Sequence, residues 1–179
     1  MGSCIKKTQK HPKACTNKRA VFKSVLRHYK KENRSLIYID ESGFSVSAPR
    51  PNGYSKIEVR CAGTHNWHER GRINVIGALI KKELVVATLF DCSIDTDVFY
   101  AWTTQELIPK LPENSVVILD NAGFHKRLDI QAAIINAGHT LLFQPPYSPD
   151  LNPIEHKWAQ LKSIRRKKRC SVDELFEQL

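Results

Sequence analysis

The sequence predicts an α/β fold built on one mixed five-stranded sheet, in which three antiparallel strands precede two parallel strands and helices flank the sheet. Two apolar runs, at residues 72–80 and 84–90, surround a polar turn, which is typical of an antiparallel hairpin. After residue 95, helical patterns alternate with short β-branched runs, which is typical of parallel βαβ units. The chain of 179 residues is long enough for one such domain with extensions.

The individual elements follow from hydrophobic periodicity and from turn residues. Residues 17–31 carry apolar side chains at helical spacing on a cationic segment, which predicts a helix docked on the domain. Residues 35–40 predict the first strand, and prolines and glycines within 45–70 predict a loop. Farther along the chain we expect a helix at 96–108 capped by Asp95 or Thr96, a strand at 116–120, a helix at 126–137 that stops at Gly138, a strand at 139–143, a helix at 152–167 and a short helix opened by Ser171.

Positive charge is concentrated towards the two ends of the chain. The net charge is +10, and residues 1–34 hold 11 Lys or Arg against one acid. Six further basic residues lie at 162–169, whereas residues 35–161 carry 11 basic and 14 acidic side chains. An acidic centre between basic segments suits a polyanion that is held at its edges. We therefore predict contact with nucleic acid, although basic tails that serve only solubility have the same composition.

Cysteine content and hydropathy argue against several classes of protein. The five cysteines form no CxxC pair and are odd in number, which favours a reducing compartment over a disulfide framework. The sequence has no apolar run of about 18 residues and no signal-peptide core. We expect a cytoplasmic, nucleoid-associated protein without membrane contact.

Three carboxylates are the strongest candidates for chemistry. Asp40 and Asp120 each end an apolar, β-branched run, so each is expected at the tip of a buried strand. Glu155 follows Asp120 after 34 intervening residues and lies in the first turn of a predicted helix. Carboxylates from two strands and a helix can hold a pair of divalent cations, which is a common basis of phosphodiester chemistry. Asp40, Asp120 and Glu155 are therefore the predicted catalytic and metal-binding residues.

Two of these carboxylates have a structural alternative. Ser42 and Gly43 lie shortly after Asp40, as expected if Asp40 is a turn residue. Asn152, Pro153 and Glu155 match a capping box, so Glu155 could serve only to cap its helix. Other acids are weaker candidates: Glu41 should face away from Asp40, Asp95 and Asp97 should start a helix, Asp150 should shape a proline-rich loop, and Asp91 ends the third strand as the only other plausible metal neighbour.

Basic and aromatic side chains near this acidic centre are candidates for DNA contact. His125 lies near Asp120 at the start of a helix and is either a phosphate contact or a surface residue. Cys61, His65 and His68 have a loosely zinc-like spacing, but no fourth ligand is evident. The predicted DNA-binding set is Arg60, Trp67, Arg70, Arg72, His125, Lys126, Lys162, Arg165, Arg166, Lys167 and Lys168.

Three strings carry a family resemblance: YIDESGF at 38–44, LDNAGFH at 119–125 and PPYSPDLNPIEHKW at 145–158. Together they resemble the catalytic domain of mariner-type DDE transposases of the bacterial insertion-sequence branch, over about residues 36–168. The resemblance implies a ribonuclease-H-like fold with Asp40, Asp120 and Glu155 as the metal-binding triad. It also implies Mg²⁺, with Mn²⁺ as a substitute and two ions expected, and cut-and-paste movement of an element into TA dinucleotides.

The resemblance also shapes our expectations for the whole chain. We expect a basic arm with a docking helix at 1–34, a DDE catalytic domain at 35–170 and a short helix at 171–179. Members of the family normally carry an N-terminal helix-turn-helix region that reads the transposon ends. We therefore expect end recognition to be missing or on a separate chain, and a homodimer on DNA.

Two other functions remain open from the sequence. One is a catalytically silent DNA-binding or regulatory fragment of a transposase. The other is a cellular ribonuclease-H-like nuclease such as a junction resolvase, which the LNPIEHKW string disfavours.

Overall fold

A mixed five-stranded sheet organises the protein in the computed structural model, which describes residues 15–46 and 71–178. The strands are β1 (Leu36–Ser45), β2 (Arg72–Ile80), β3 (Glu83–Phe90), β4 (Val116–Leu119) and β5 (Thr140–Phe143). Their order across the sheet is β3-β2-β1-β4-β5. β1 and β2 pair antiparallel, as do β2 and β3, whereas β4 pairs parallel with both β1 and β5. The predicted sheet is therefore confirmed.

The helices flank this sheet. They are α1 (Thr16–Lys31), α2 (Thr96–Trp102), α3 (Leu128–Asn136), α4 (Pro153–Lys168) and α5 (Val172–Phe176). Their ends follow the local sequence signals: the Asp95 side chain accepts the first amides of α2, Pro153 is the first residue of α4, and Ser171 forms a capping box with Glu174 before α5. No helix within the described ranges is long and apolar enough to cross a membrane.

Local signals misplaced several element ends. β1 continues to Ser45 because it pairs with β2 from Ile37 to Ser45, so Asp40 lies within the strand and not at its tip. The helix expected at 96–108 is α-helical only to Trp102 and continues as a π-helical turn and a 3₁₀ turn. The helix expected from residue 126 begins at Leu128, after a short 3₁₀ turn. The loop expected at 45–70 lies largely outside the described residues.

Apolar side chains pack on both faces of the sheet. On one face, Ile37 and Ile39 of β1 belong to a buried cluster with Phe99, Trp102 and Ile130 from the helical layer. The opposite face carries a second buried cluster, which consists of Phe44, Val75, Leu79, Ile154, Trp158, Leu161, Val172 and Leu175. Side chains alternate between the faces of a strand, so successive residues of β1 enter different clusters. This alternation decides which side chain of β1 meets α4.

The helix α1 is fastened to the segment that precedes α4. Phe22 of α1 is buried in a third cluster with Leu36, Val116 and Ile118. Arg19 is 7 % exposed, and its two terminal guanidinium nitrogens donate to the two carboxylate oxygens of Asp150 at 2.8 and 2.5 Å. Asp150 belongs to the short 3₁₀ turn just before α4. A paired, bidentate contact of this kind satisfies the buried guanidinium and joins α1 to the turn.

We expect Arg19→Ala to lower the free energy of unfolding by about 1–3 kcal/mol, because it removes two charge-assisted hydrogen bonds. The cost stays below that of a fully buried pair because the Asp150 side chain is 55 % exposed. Urea unfolding measures the change. Arg27→Ala, at an exposed position of the same helix, should change stability by no more than about 0.5 kcal/mol. Equal effects of the two substitutions would contradict a specific contribution from the Arg19–Asp150 pair.

Candidate active site

Asp40 and Asp120 are brought together by the two parallel strands at the centre of the sheet. The β1–β4 pair is in register at Tyr38 and Ile118, and each Asp lies two residues farther along its own chain. Residues two apart on a strand share a face, so the Asp40 carboxylate is directed to the side of the sheet that carries Tyr38. Asp120 follows the last residue of β4, and its carboxylate contacts His125. This arrangement follows the general rule that parallel strands present their C-terminal ends at one edge.

A tryptophan from α4 contacts the first of these carboxylates. Trp158 is buried, and its Nε1 donates a hydrogen bond to Asp40 Oδ2 at 3.2 Å. The indole reaches this position across Gly77, which pairs with Asp40 in the β1–β2 ladder. A Cβ atom on residue 77 would lie 2.5 Å from Trp158 Cη2, closer than carbon atoms approach each other. The glycine in β2 therefore gives the tryptophan room to hold Asp40.

Glu155 lies on the same helix as Trp158, in its first turn, and is exposed. The capping-box alternative for this residue is wrong. Asn152 is the N-cap residue, but its side chain accepts no helix amide, and its buried Oδ1 has no hydrogen-bond partner among the described residues. The Asn152 amide, which Glu155 would accept in a capping box, instead donates to the backbone oxygen of Pro149 at 2.9 Å. The Glu155 carboxylate is therefore not used to cap its helix.

The carboxylates are close enough to affect one another. Burial raises the pKa of Asp40 to about 8, and the negative charges of Glu155, Glu41 and Asp120 act in the same direction. Carboxylate oxygens are the ligands that Mg²⁺ and Mn²⁺ prefer, so the chemistry of the donor set fits a divalent cation. Within the described residues, however, no three Asp, Glu, His or Cys side chains are gathered closely enough to hold one as they stand.

His125 is a buried link between two acids, which corrects both expectations for it. It is 0 % exposed, so it is neither a phosphate contact nor a surface residue. Its Nδ1 lies 2.7 Å from Asp120 Oδ1, and its Nε2 lies 2.9 Å from Glu41 Oε1. Burial opposes a charge on the imidazole, but these two carboxylates raise the pKa of His125 to about 9. Burial likewise acts against ionised Asp120, yet hydrogen bonds from His125 and the Ala122 amide lower its pKa overall.

Sequence reasoning did not identify Glu41 or Trp158 as parts of the site. Glu41 was expected to face away from Asp40, and its side chain does contact the opposite side of β1, where His125 lies. The spacing of His125 five residues after Asp120 was noticed, but nothing in the local sequence pairs it with Glu41. In the sequence, Trp158 stood out only as the last residue of the string PPYSPDLNPIEHKW. The Asp-Glu pair at 40–41 was the one local signal available.

The predicted DNA contacts divide into distinct groups. Arg165 is buried, and its guanidinium donates to the backbone oxygens of Ser45, Val46 and Cys170. It is therefore a structural residue that fastens α4 to the end of β1, and its assignment to DNA contact is wrong. Five basic residues of the set are exposed: Arg72, Lys126, Arg166, Lys167 and Lys168. Lys168 also contacts Gln178 Oε1 at 2.6 Å.

Two members of that set, half-buried Lys162 and exposed Arg72, contact residues of β1. Lys162 is half-buried with its Nζ 5.2 Å from the centre of the Phe44 ring. The Arg72 guanidinium lies across Gly43, where a Cβ atom would be 1.6 Å from its Nε. The remaining predicted contacts, Arg60, Trp67 and Arg70, lie outside the described residues, as do the possible zinc ligands Cys61, His65 and His68.

The fold and the acidic centre together define a ribonuclease-H-like domain. The sequence matches the family model of the DDE superfamily endonuclease over residues 35–175, and the chain belongs to that family. The fold is that of the Mos1 mariner transposase catalytic domain, with a TM-score of 0.63 at 12 % identity over 95 % of this chain and 80 % of that one. The resemblance and the fold class predicted from the sequence are confirmed.

Two further similarities concern longer proteins. The chain in the Mos1 strand transfer complex superposes with a TM-score of 0.67 at 17 % identity, over 92 % of this chain and 53 % of that one. An uncharacterized protein of Sinorhizobium fredii, y4pE/y4sA, is 39 % identical over 49 residues, which is 27 % of this chain and 34 % of that protein. This chain thus spans about half the length of the transposase chain in that complex.

The pKa of Asp40 predicts an unusual pH dependence of stability in metal-free protein. In the folded state the Asp40 carboxyl keeps its proton up to about pH 8, whereas its reference pKa is 3.8. The folded state therefore binds this proton more tightly than the unfolded state does. The resulting contribution to stability is fully present below about pH 4 and is lost as pH rises towards 8. Asp40→Asn removes the contribution. We expect the Tm of this variant to exceed that of the wild type by a margin that widens between about pH 5 and 8.

Thermal melts in chelator, recorded across this pH range, test the expectation. The exposed Asp91 gives a matched control, since Asp91→Asn removes a carboxylate from the end of β3. If the Tm difference between Asp40→Asn and the wild type stays constant with pH, then burial and the neighbouring acids do not raise the pKa of Asp40.

Proposed function

We propose that this domain is the catalytic part of an insertion-sequence transposase, which cleaves DNA strands and joins the freed 3′-OH ends to target DNA. The observation that carries the proposal is the match to the DDE superfamily endonuclease over residues 35–175, in which the charges of Glu155 and Asp120 act on the buried Asp40 carboxyl. The similarity to a protein described in a strand transfer complex supports the same chemistry. Insertion into TA dinucleotides follows from the sequence resemblance to mariner-type enzymes.

Asp40, Asp120 and Glu155 would hold the metal, with Mg²⁺ as the expected ion, Mn²⁺ as a substitute and two ions in the site. Structures of the related Mos1 paired-end complex are described with Mn and with Mg, which supports this choice. When bound, the ions would activate the attacking hydroxyl group and neutralise charge on the leaving oxygen.

The chain's own groups prepare the site for this reaction. The Trp158 indole orients Asp40, and the Ala122 amide donates to Asp120 Oδ1 at 2.7 Å. Glu155 lies at the N-terminus of α4, where the helix dipole favours a negative charge. In the cleavage step, water adds to a phosphorus atom and the 3′ oxygen departs. In the joining step, that 3′-OH is the nucleophile, so one phosphodiester bond forms as another breaks.

DNA is the proposed partner, as transposon end and as target. The exposed basic residues Lys126, Arg166, Lys167 and Lys168 would neutralise phosphates. We further propose that the protein acts as a homodimer on DNA at the nucleoid.

A catalytically silent DNA-binding or regulatory fragment is the second candidate. It is favoured by one observation, namely that the described residues include no preassembled cluster able to hold a metal ion. Such a fragment would bind DNA without cleaving it, so a cleavage assay separates the two candidates.

We expect Asp120→Asn and Glu155→Gln each to abolish Mg²⁺- and Mn²⁺-dependent strand cleavage. The loss should exceed the roughly 10–100-fold that removal of an outer hydrogen-bond partner costs at metal sites, because an amide replaces a ligand carboxylate. Glu155 is exposed and does not cap its helix, so Glu155→Gln should change stability by no more than about 0.5 kcal/mol.

Cleavage of labelled duplex DNA and thermal melting would be measured on the same preparations, with Asp91→Asn as the control carboxylate. Cleavage that survives in Glu155→Gln would remove this residue from the site. A wild-type protein that binds DNA but never cleaves it with either ion would favour the silent fragment.

We also expect the basic end of α4 to contribute to nonspecific DNA affinity. For duplex DNA, each neutralised phosphate adds roughly 0.9 to the steepness of log K against log salt concentration. Replacing Arg166 and Lys167 by Gln should therefore flatten the slope by up to about 2. Replacing Lys81 and Lys82, an exposed pair in the β2–β3 turn, provides the charge-matched control. Equal slopes for the two double variants would mean that the end of α4 does not contact the DNA backbone.

A further inference from the structure

His125 occupies a position that the cleavage chemistry does not by itself require. It lies in the 3₁₀ turn Gly123–Lys126, which directly follows β4 and Asp120. Its ring is fully buried between aromatic neighbours, with centroid distances of 4.5 Å to Phe99 and 4.1 Å to Phe124. Aromatic packing fixes the plane of the imidazole but not the direction of its nitrogens. That direction is set by the carboxylates at the two ends of the ring.

We propose that Glu41 and His125 form a positioning pair for the metal ligand Asp120, in which Glu41 orients the His125 ring and His125 fixes the Asp120 carboxylate. The inference rests on the proposed metal-dependent function. It deepens that function by assigning two residues that were not among its predicted ligands. The contacts that define the pair are the 2.9 Å approach of Glu41 Oε1 to Nε2 and the 2.7 Å approach of Asp120 Oδ1 to Nδ1.

The two oxygens of Asp120 are used differently. Oδ1 is engaged by His125 Nδ1 and also accepts the Ala122 amide at 2.7 Å. No donor within the described part of the chain engages Oδ2. Two partners on one oxygen hold the rotation of the carboxylate and leave the other oxygen for a ligand. Hydrogen-bond partners behind a metal ligand act in this way at many metal sites, where they set ligand orientation.

Glu41 is placed for its role by strand alternation. Asp40 is directed to the Trp158 side of β1, so its neighbour Glu41 is directed to the His125 side. The adjacent acids of one strand thereby serve the site from two faces. Asp40 is itself a proposed metal ligand, whereas Glu41 acts on Asp120 through the buried His125 ring. The Glu41 side chain is 21 % exposed, so its replacement is less disruptive than a change in the fully buried core.

A purely structural role makes a different prediction. If His125 only fills space between Phe99 and Phe124, then His125→Phe should preserve the packing and leave metal binding unchanged. If His125 acts only through charge, its removal from a site for cations should tighten metal binding. The positioning role predicts weaker binding, because Asp120 is no longer held in one orientation.

The experiment measures Mn²⁺ binding to the DNA-free full chain by electron paramagnetic resonance, which reports binding independently of activity. We expect His125→Phe to weaken Mn²⁺ binding by roughly 10–100-fold. Glu41→Ala should weaken it in the same direction. The double variant should bind no more weakly than His125→Phe alone, because Glu41 acts through the ring and the effects are not additive. In cleavage assays, kcat should fall while KM for DNA stays unchanged.

Glu83→Ala supplies a matched control, since it removes an exposed glutamate from β3, an outer strand of the sheet. Folding of each variant is checked by its melting transition, and His125→Leu, which also removes both ring nitrogens, replaces His125→Phe if that variant does not fold. Unchanged or tighter Mn²⁺ binding in a folded variant would overturn the positioning role and leave the proposed function standing. Additive losses in the double variant would also overturn it. A wild-type chain that neither binds Mn²⁺ nor cleaves DNA would overturn both proposals.

Discussion

The crowding of carboxylates at the centre of the sheet is the constraint on which the rest of the site depends. Asp40 is largely buried, and Glu155, Glu41 and Asp120 all act to raise its pKa. Burying an ionised acid among other acids is unfavourable unless donors or cations compensate for the charge. The elements around β1 and β4 supply donors that compensate for these charges.

Each acid is compensated by a different means. Asp40 accepts the Trp158 indole, and Asp120 accepts both a backbone amide and His125. Glu155 is left exposed at the start of a helix, where the helix dipole favours its charge. Hydrogen-bond donors of the protein therefore compensate mainly Asp40 and Asp120, whereas Glu155 is exposed to solvent. Such a division suits the metal-binding role proposed for this site, because complete internal compensation would reduce the affinity for cations.

Basic residues in this chain serve two separate purposes that composition alone cannot distinguish. Arg19 and Arg165 are buried and fasten α1 and the end of α4 to other parts of the domain. Arg166 and Lys167, the next residues along α4, are exposed. Successive residues on a helix point in different directions, so a run of positive charge is divided between the interior and the surface. The total of 28 Lys and Arg residues therefore overstates the number of basic side chains available to DNA.

The sequence by itself determined the features that arise from neighbouring residues. Alternation and turn residues predicted the β2–β3 hairpin, Asp95 and Ser171 predicted helix starts, and three short strings predicted the family. Only the tertiary structure decided how far β1 runs and what its acids contact. The β1–β2 ladder overrides the turn signal after Asp40 because pairing continues on the neighbouring strand. His125, Trp158 and Arg165 each have a partner 84 to 120 residues away in the chain, namely Glu41, Asp40 and Ser45. Local periodicity carries no information about contacts at that separation.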